Sequence, residues 1–176
     1  MVPDHVTNPT SAVQPETAPG TLEDPARARR VVLDSNVWID ILVFDDPVSR
    51  PIVAALQDAR LHAVIDARCL AELTYVLGYP QFAHHAIDPA AALARVAQLA
   101  EQVEWSVSDS APPLPKCKDR DDQKFLELAQ AASVDWLVSK DRALLKLARR
   151  TARDFGFQIG VPASLVAACA LAPNAA

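Results

Sequence analysis

Short apolar runs alternate along the chain with stretches in which apolar residues recur every three or four positions. The runs predict strands over 31–33, 62–66, 103–107, 136–139 and 157–161. The helical spacing predicts helices over 37–41, 52–59, 67–77, 89–101, 123–132, 141–148 and 162–172. Because parallel neighbours require crossover connections, this alternation predicts an α/β fold, a three-layer α/β/α sandwich around a central parallel five-stranded sheet.

The first 27 residues differ in composition from the rest of the chain. They hold five prolines among Thr, Ala, Glu and Gly, and they have too few large apolar residues to form a core. We therefore expect a disordered Pro-rich tail over 1–27 and a single folded domain over 28–172. The net charge of −5 is concentrated in this tail, whose first 24 residues contain four acids and no Lys or Arg. The predicted domain is therefore almost neutral.

The cysteines and the hydropathy indicate the compartment. The three cysteines, Cys69, Cys117 and Cys169, are far apart and form no CxxC pair, which is typical of reduced residues and not of a disulfide framework or a zinc site. No run approaches the roughly 20 apolar residues that span a bilayer. The N-terminus lacks the basic and apolar regions of a signal peptide. We expect a cytoplasmic protein without a membrane segment.

Four acids fall where the predicted strands end or the predicted helices begin. Asp34 follows the first strand, Glu72 lies in the helix after the second, Asp122 opens the helix that leads into the fourth, and Asp141 follows that strand. All strands of a parallel sheet end at one edge, where ligands bind in open α/β sheets. Four carboxylates there would repel one another, and a hard divalent cation such as Mg²⁺ resolves that repulsion.

Each acid taken alone also fits a structural role. Asp34, Asp122 and Asp141 stand at helix N-termini, where Asp is a common cap, and for an isolated Asp34 the cap is the more frequent role. Glu72 lies beside an apolar helical face, where an unpaired acid is costly. Ser35 or Asn36 can cap the first helix instead and leave the Asp34 carboxylate free. We therefore favour one metal site over four coincident structural roles.

Four segments of the chain resemble the PIN-domain nucleases. The resemblance covers about residues 30–165 and is carried by ValValLeuAspSerAsnValTrp, AlaGluLeuThrTyrValLeu, AspArgAspAspGlnLysPheLeuGluLeuAla and LeuValSerLysAspArgAlaLeuLeu, in that order. The chain is most similar to the bacterial subgroup described as toxin components of toxin–antitoxin pairs.

The resemblance implies roles for the residues that match its motifs. It implies that Asp34, Glu72, Asp122 and Asp141 are the catalytic, metal-binding acids. It also implies that Asp119 is an auxiliary metal-binding acid, whereas Asp121 is expected to be solvated. Ser35, Asn36 and Ser139 are implied to orient these carboxylates or a metal-bound water. The cofactor is expected to be Mg²⁺ or Mn²⁺, and no His, Ser or Cys is expected to act as a nucleophile.

Basic residues follow the last acid. Residues 142–153 contain five Arg or Lys and no acid. An RNA backbone could therefore be guided by Lys140, Arg142, Lys146 and Arg149. A solvated helix face explains the same pattern. Lys116, Lys118 and Lys124 near Asp122 could act similarly. Asp40, Asp45 and Asp46 are interpreted as solvated or turn residues. The three tryptophans, Trp38, Trp105 and Trp136, are interpreted as core residues.

The sequence therefore predicts a metal-dependent ribonuclease that hydrolyses RNA phosphodiester bonds, as the toxin of a toxin–antitoxin system. Its expected partners are RNA, a cognate antitoxin and, by resemblance, a second copy in a homodimer. The alternative is a weakly active or inactive PIN-like metal-binding interaction domain. Ala143 slightly favours that alternative, because close relatives often carry a second late acid at its position. Asn36 stands where an aspartyl phosphatase needs a second Asp, which argues against that chemistry.

Overall fold

Five parallel strands form the centre of the molecule. The computed structural model describes residues 27–85, 87–106 and 112–171. The strands are β1 (Arg29–Leu33), β2 (Leu61–Ile65), β3 (Ala100–Gln102), β4 (Trp136–Val138) and β5 (Gln158–Gly160). They form one sheet in the order β3-β2-β1-β4-β5, and every pair is parallel. This confirms the predicted parallel five-stranded sheet.

Helices connect the strands and complete a three-layer α/β/α fold. They are α1 (Ser35–Ile39), α2 (Arg50–Gln57), α3 (Ala67–Leu77), α4 (Pro89–Leu99), α5 (Gln123–Ala131), α6 (Arg142–Leu145), α7 (Ala148–Asp154) and α8 (Pro162–Ala168). Helix α2 contacts α4 and α8, whereas α3 contacts α1 and α5. Apolar positions of α3 and α5, such as Leu73 and Phe125, are fully buried, as their helical spacing predicts. None of the helices in the described ranges is long and apolar enough to cross a bilayer.

The register of the central strands places the predicted site. Leu33 of β1 pairs with Val138 of β4, so the residues that follow, Asp34 and Ser139, emerge side by side. The Asp34 backbone N–H donates to the Val138 carbonyl at 2.9 Å, which extends the pairing to the edge of the sheet. Val31, Val32 and Leu33 are buried, as expected for a strand covered on both faces. Asp34 and Ser139 thus follow the buried ends of two adjacent strands at the carboxyl edge of the sheet.

The bounds of the third strand and the end of α4 differ from the predictions. The third strand is Ala100–Gln102 and not 103–107, and α4 ends at Leu99 because Ala100 turns to an extended conformation with φ −130° and ψ 142°. Residues 103–106 follow the strand: the Val103 backbone N–H donates to the Ile65 carbonyl at 2.9 Å, and the Trp105 indole N–H donates to Asp66 at 3.0 Å. Residue 107 lies outside the described ranges. Alternation alone does not distinguish a strand from an extended segment anchored by one side chain.

The remaining corrections concern helices. The helix predicted over 141–148 is two short helices, α6 and α7, and the closing helix ends at Ala168. Residues 40–44 form a π-helical turn that the apolar spacing does not predict. The tail expected over 1–27 lies outside the described ranges except for Arg27, and so do residues 172–176.

Candidate active site

Asp34 is buried at the end of β1, and side chains hold its carboxylate. It is 4% exposed. Its Oδ2 accepts hydrogen bonds from the Ser139 hydroxyl at 2.5 Å and from the Asn36 amide at 2.6 Å. Asp34 occupies the N-cap position of α1, but its side chain makes no capping hydrogen bond. The expectation that Ser35 or Asn36 caps α1 is wrong, because α1 already begins at Ser35.

Asn36 and Ser139 connect Asp34 to the loop after β4. The Asn36 Oδ1 accepts the backbone N–H of Lys140 at 3.2 Å. The Ser139 Oγ accepts the backbone N–H of Asp141 at 2.9 Å while it donates to Asp34. Ser139 is fully buried, so its hydroxyl has fixed partners on both sides. One buried hydroxyl therefore sets the relative position of two predicted site acids.

Glu72 lies inside α3, and each of its carboxylate oxygens has a partner. Ser35 donates to Oε1 at 2.7 Å, and the Lys124 ammonium contacts Oε2. Lys124 also donates to the Asp121 carbonyl, which places it at the start of α5. The Glu72 side chain is 27% exposed. Ser35 thus orients Glu72 from the N-terminus of α1, and Lys124 neutralises its charge.

Asp119 and Asp122 enter the site from the segment before α5. Asp122 is the N-cap residue of α5, but its side chain makes no capping hydrogen bond. Asp119 accepts the backbone N–H of Asp121 at 3.0 Å and thereby shapes the turn. Asp121 is exposed, as predicted. The side chain of Asp122 is therefore not committed to the helix that it precedes.

Asp141 does act as a helix cap. Its Oδ1 accepts the backbone N–H groups of Ala143 at 2.6 Å and Leu144 at 3.2 Å, at the start of α6. Within the described ranges its Oδ2 takes no hydrogen bond. The structural role and a metal-binding role are thus compatible for this residue, with one oxygen for each.

Burial and neighbouring negative charges raise the pKa of two of these acids. Burial raises the pKa of Asp122 to about 7, with the negative charges of Asp34, Asp141, Asp119 and Glu72 adding to the effect. Burial also raises the pKa of Asp34, the Ser139 hydrogen bond opposes this, and Glu72 raises it further. Mutual repulsion of this kind requires that acids from distant parts of the chain share one site. The negative charges of Asp34, Glu72, Asp119 and Asp141 therefore all act on Asp122.

The side chains are nevertheless not arranged as a ready-made set of ligands. In the described part of the chain, no three His, Cys, Asp or Glu side chains lie together in an arrangement that holds a metal ion. Nor does any Lys or Arg there form an ion pair with Asp34, Asp119, Asp122 or Asp141. The donor atoms are the carboxylate oxygens that Mg²⁺ and Mn²⁺ prefer, and their uncompensated charge favours a cation. The chemistry of the acids fits a divalent ion, although within the described residues their side chains are not placed as a set of three ligands.

The predicted basic residues fall into two groups. The Lys140 ammonium contacts both oxygens of Asp40, at 2.7 and 2.6 Å, and Asp40 is only 6% exposed. The interpretation of Asp40 as solvated is therefore wrong, whereas Lys140, whose side chain is 47% exposed, carries a charge that is paired with Asp40. The residues Arg142, Lys146 and Arg149 are exposed, as the basic stripe requires. The break between α6 and α7 divides that stripe into two short segments.

One residue of this region, Asp66, is not singled out in the sequence, and another, Lys124, has a partner that the sequence does not predict. Asp66 follows β2 as Asp34 follows β1, and this repeated strand–Asp–helix pattern is the signal that points to it. Its carboxylate caps α3 through Cys69 at 2.8 Å and binds Trp105 and Arg68, so it is committed to structure. Lys124 was grouped with the basic residues near Asp122, and its pairing with Glu72 depends on the packing of α3 against α5.

The comparison with known proteins agrees with this geometry. The sequence profile described as the PIN domain matches residues 30–143, which run from β1 into α6 and include all five acids. No curated protein matches the chain. PIN domains are generally nucleases, a class of hydrolases, and they typically use divalent metal ions. The chain, with its acids at the carboxyl edge of a five-stranded parallel sheet, belongs to the PIN-domain family.

Proposed function

We propose that this protein is a metal-dependent ribonuclease that hydrolyses phosphodiester bonds in RNA. The observation that carries the proposal is the crowding of negative charge around Asp122, whose pKa is raised to about 7 by burial and by four neighbouring acids. Such crowding has no structural benefit for the fold, because uncompensated carboxylates at one site repel each other. A divalent cation removes this cost, and the family of the chain typically uses one.

The proposed ligands are Asp34, Glu72, Asp122 and Asp141, with Asp119 as an auxiliary acid. A bound Mg²⁺ or Mn²⁺ would polarise a phosphoryl oxygen and lower the pKa of a water molecule. Ser139 and Asn36 hold the Asp34 carboxylate in place, and Ser35 holds that of Glu72. Orientation of metal-binding carboxylates by hydrogen bonds of this kind tunes affinity and geometry.

Lys124 has a defined place in this proposal. Its ammonium group neutralises Glu72 in the metal-free protein. Lys124 lies near the start of α5, two residues after Asp122, so a divalent ion that takes over the Glu72 carboxylate would leave the Lys124 ammonium available to a substrate phosphate. Ser35 and Ser139 are buried and engaged with carboxylates, so neither is a candidate nucleophile. The attacking group is therefore proposed to be water.

The experiment is cleavage of a mixed RNA pool in Mn²⁺ by the full-length chain. We expect cleavage that is abolished by EDTA and by Asp34→Asn, a substitution that preserves the shape of the side chain. The matched control is Asp121→Asn, which removes an exposed acid of the same segment and should leave cleavage intact. Unchanged cleavage by Asp34→Asn would refute the assignment and point to a contaminating nuclease.

The toxin role, the antitoxin partner, the homodimer and the cytoplasmic location are proposals that rest on the sequence resemblance and cysteine usage. A short reading frame immediately upstream of the gene, encoding a protein that co-purifies with this chain, would support the toxin role. Its absence, together with normal growth of cells that overproduce the chain, would argue against it.

A second candidate is a metal-binding interaction domain with little or no nuclease activity. Two observations favour it: the acids of the described ranges are not pre-arranged as ligands, and Lys124 already neutralises Glu72. Calorimetry with Mn²⁺ separates the candidates. Binding that is lost in Asp34→Asn, without cleavage of any RNA in the pool, would support the interaction domain.

A further inference from the structure

A cavity of about 1440 Å³ opens beside the acid edge. Glu72 and Asp122 line one part of it, and Tyr75, Tyr79, Lys116 and Arg120 line other parts. The cavity therefore joins proposed metal ligands, exposed aromatic rings and basic side chains in one continuous space. Its size is above that of a typical small-molecule pocket, which is about 300–1,000 Å³.

The two tyrosines are the unusual feature of this cavity. Tyr75 is 71% exposed and Tyr79 is 37% exposed. Their rings pack edge to face, with centroids 5.2 Å apart and an interplanar angle of 82°. Tyr75 follows Glu72 by three residues on α3, so the two side chains are neighbours on one helical face. An aromatic surface thus lies within one helical turn of a proposed metal ligand.

Trp105, in the same cavity, does not offer such a surface. Its indole N–H donates to Asp66, and the Arg68 guanidinium lies 4.8 Å from its ring centroid. Trp105 is also only partly exposed. The faces available for stacking in this part of the molecule are therefore those of Tyr75 and Tyr79.

The basic residues of the cavity indicate which partner covers the tyrosines. Lys116 and Arg120 are exposed, and no carboxylate of the described residues forms an ion pair with either. Arg68 and Lys124 are paired with acids, so they contribute less to an anion. A polyanion with apolar rings satisfies both the cations and the tyrosines, and a nucleic-acid strand has that chemistry.

We propose that Tyr75 and Tyr79 form a stacking platform for an unpaired nucleobase of an RNA strand whose backbone crosses Lys116 and Arg120 on its way to the acid edge. This inference rests on the proposed ribonuclease function and specifies its substrate as single-stranded at this point. A paired base is stacked between its neighbours and cannot lie on a protein ring. Stacking on aromatic side chains is tolerant of base identity, so the platform selects strandedness and not sequence.

The test is binding of labelled oligouridylate of about ten nucleotides, a length typical of single-strand binding sites, to the full-length chain in EDTA, where metal-dependent cleavage does not occur. Fluorescence anisotropy gives Kd. We expect Tyr75→Ala to raise Kd by roughly 5- to 150-fold, the range for loss of one base–aromatic stack, whereas Tyr75→Phe retains wild-type affinity. Phe44→Ala is the matched control, because Phe44 is 50% exposed and lies outside the cavity.

An abasic strand of the same length separates stacking from charge. It keeps the phosphates and lacks the bases, so wild-type protein and Tyr75→Ala should bind it equally. The inference is overturned if Tyr75→Ala binds oligouridylate as wild type does, or if it loses the same affinity for the abasic strand. It is also overturned if Tyr75→Ala halves the mass in light scattering and leaves Kd unchanged, because the tyrosines then belong to an interface between two copies.

The two proposals fail in different ways. If wild-type protein cleaves RNA and Tyr75→Ala binds and cleaves normally, the platform is refuted and the nuclease stands. If Tyr75→Ala weakens binding of oligouridylate alone and no RNA is cleaved in Mn²⁺, the nuclease is refuted and the platform stands as a single-strand binding site.

Discussion

The titration of Asp122 is the most direct physical test of the shared acid site. Its pKa of about 7 compares with an ordinary value of 3.8. At pH 6 about nine-tenths of the Asp122 carboxyl is therefore protonated, whereas an unperturbed Asp is more than about 99% ionised there. The difference arises first from burial and then from the charges of Asp34, Asp141, Asp119 and Glu72. Removal of one of those charges should lower the pKa.

Asp34→Asn is the perturbation of choice, because Asp34 is the strongest of the four charges acting on Asp122. In metal-free protein, we expect this variant to lower the pKa of Asp122 while leaving it above 3.8, since burial remains. Carboxyl ¹³C chemical shifts followed against pH in EDTA measure the value directly. Asp121→Asn is the control and should change the Asp122 titration less, because Asp121 is exposed. A wild-type midpoint near 4, or equal effects of the two variants, would refute the shared site.

The same shift predicts how stability depends on pH. The pKa of Asp122 is higher in the folded protein than in the unfolded chain, so the folded state binds more protons between pH 4 and pH 7. Its contribution to stability is complete below the unfolded pKa and is lost as the pH rises through about 7. In EDTA, Tm should therefore fall between pH 5 and pH 8, and Asp122→Asn should flatten this dependence. Mg²⁺ should restore Tm at pH 8 in wild type, because a ligand of the folded state stabilises it.

Three further substitutions test the supports of the site, each by urea denaturation. Ser139→Ala leaves buried partners unsatisfied and should cost about 1–3 kcal/mol, with weakened Mn²⁺ binding by calorimetry; unchanged binding would argue against its orienting role. Lys140→Met leaves the buried Asp40 carboxylate without its partner and should lower the free energy of unfolding by about 2 kcal/mol. Adding Asp40→Asn to the same chain should recover most of this loss. Gly160→Ala places a Cβ 2.9 Å from the Trp136 ring and should cost about 1–3 kcal/mol by overpacking; a neutral effect would mean that the ring moves freely.

The strands and helices of the core were predictable because their periodicity is strong. Helix α3 has the predicted bounds, 67–77, and the buried β1 contains the predicted apolar run. The boundary between α4 and β3 was misplaced because Ala and Glu continue a helical pattern without requiring a helix. The π-helical turn over 40–44 begins at Asp40, whose buried carboxylate contacts Lys140, and local spacing cannot predict a contact between residues 100 positions apart.

The acids of the candidate site were predictable as a group, but their partners were not. Burial of Ser139 and the bond from its hydroxyl to Asp34 depend on which strands are neighbours. The ammonium of Lys124 lies on Glu72 only because α3 packs against α5. From local pattern alone, Lys124 is one of several basic residues near an acid. Likewise, the sequence shows Tyr75 only as a residue between two leucines of an amphipathic helix. Its exposure and its place in the cavity are apparent only from the structure.

Strand order explains this difference between the acids and their partners. Any all-parallel arrangement of the five strands sends Asp34 and Asp141 to the same edge, so the apolar pattern is enough to predict a common edge. Only the order in which β1 lies between β2 and β4 makes Asp34 a neighbour of both Ser139 and the helix that carries Glu72. Local periodicity contains no information about that order, since it arises from packing between segments far apart in the chain. The site is therefore best tested through Ser139. Its buried hydroxyl joins the ends of β1 and β4, and in a sheet with another strand order it would not lie next to Asp34.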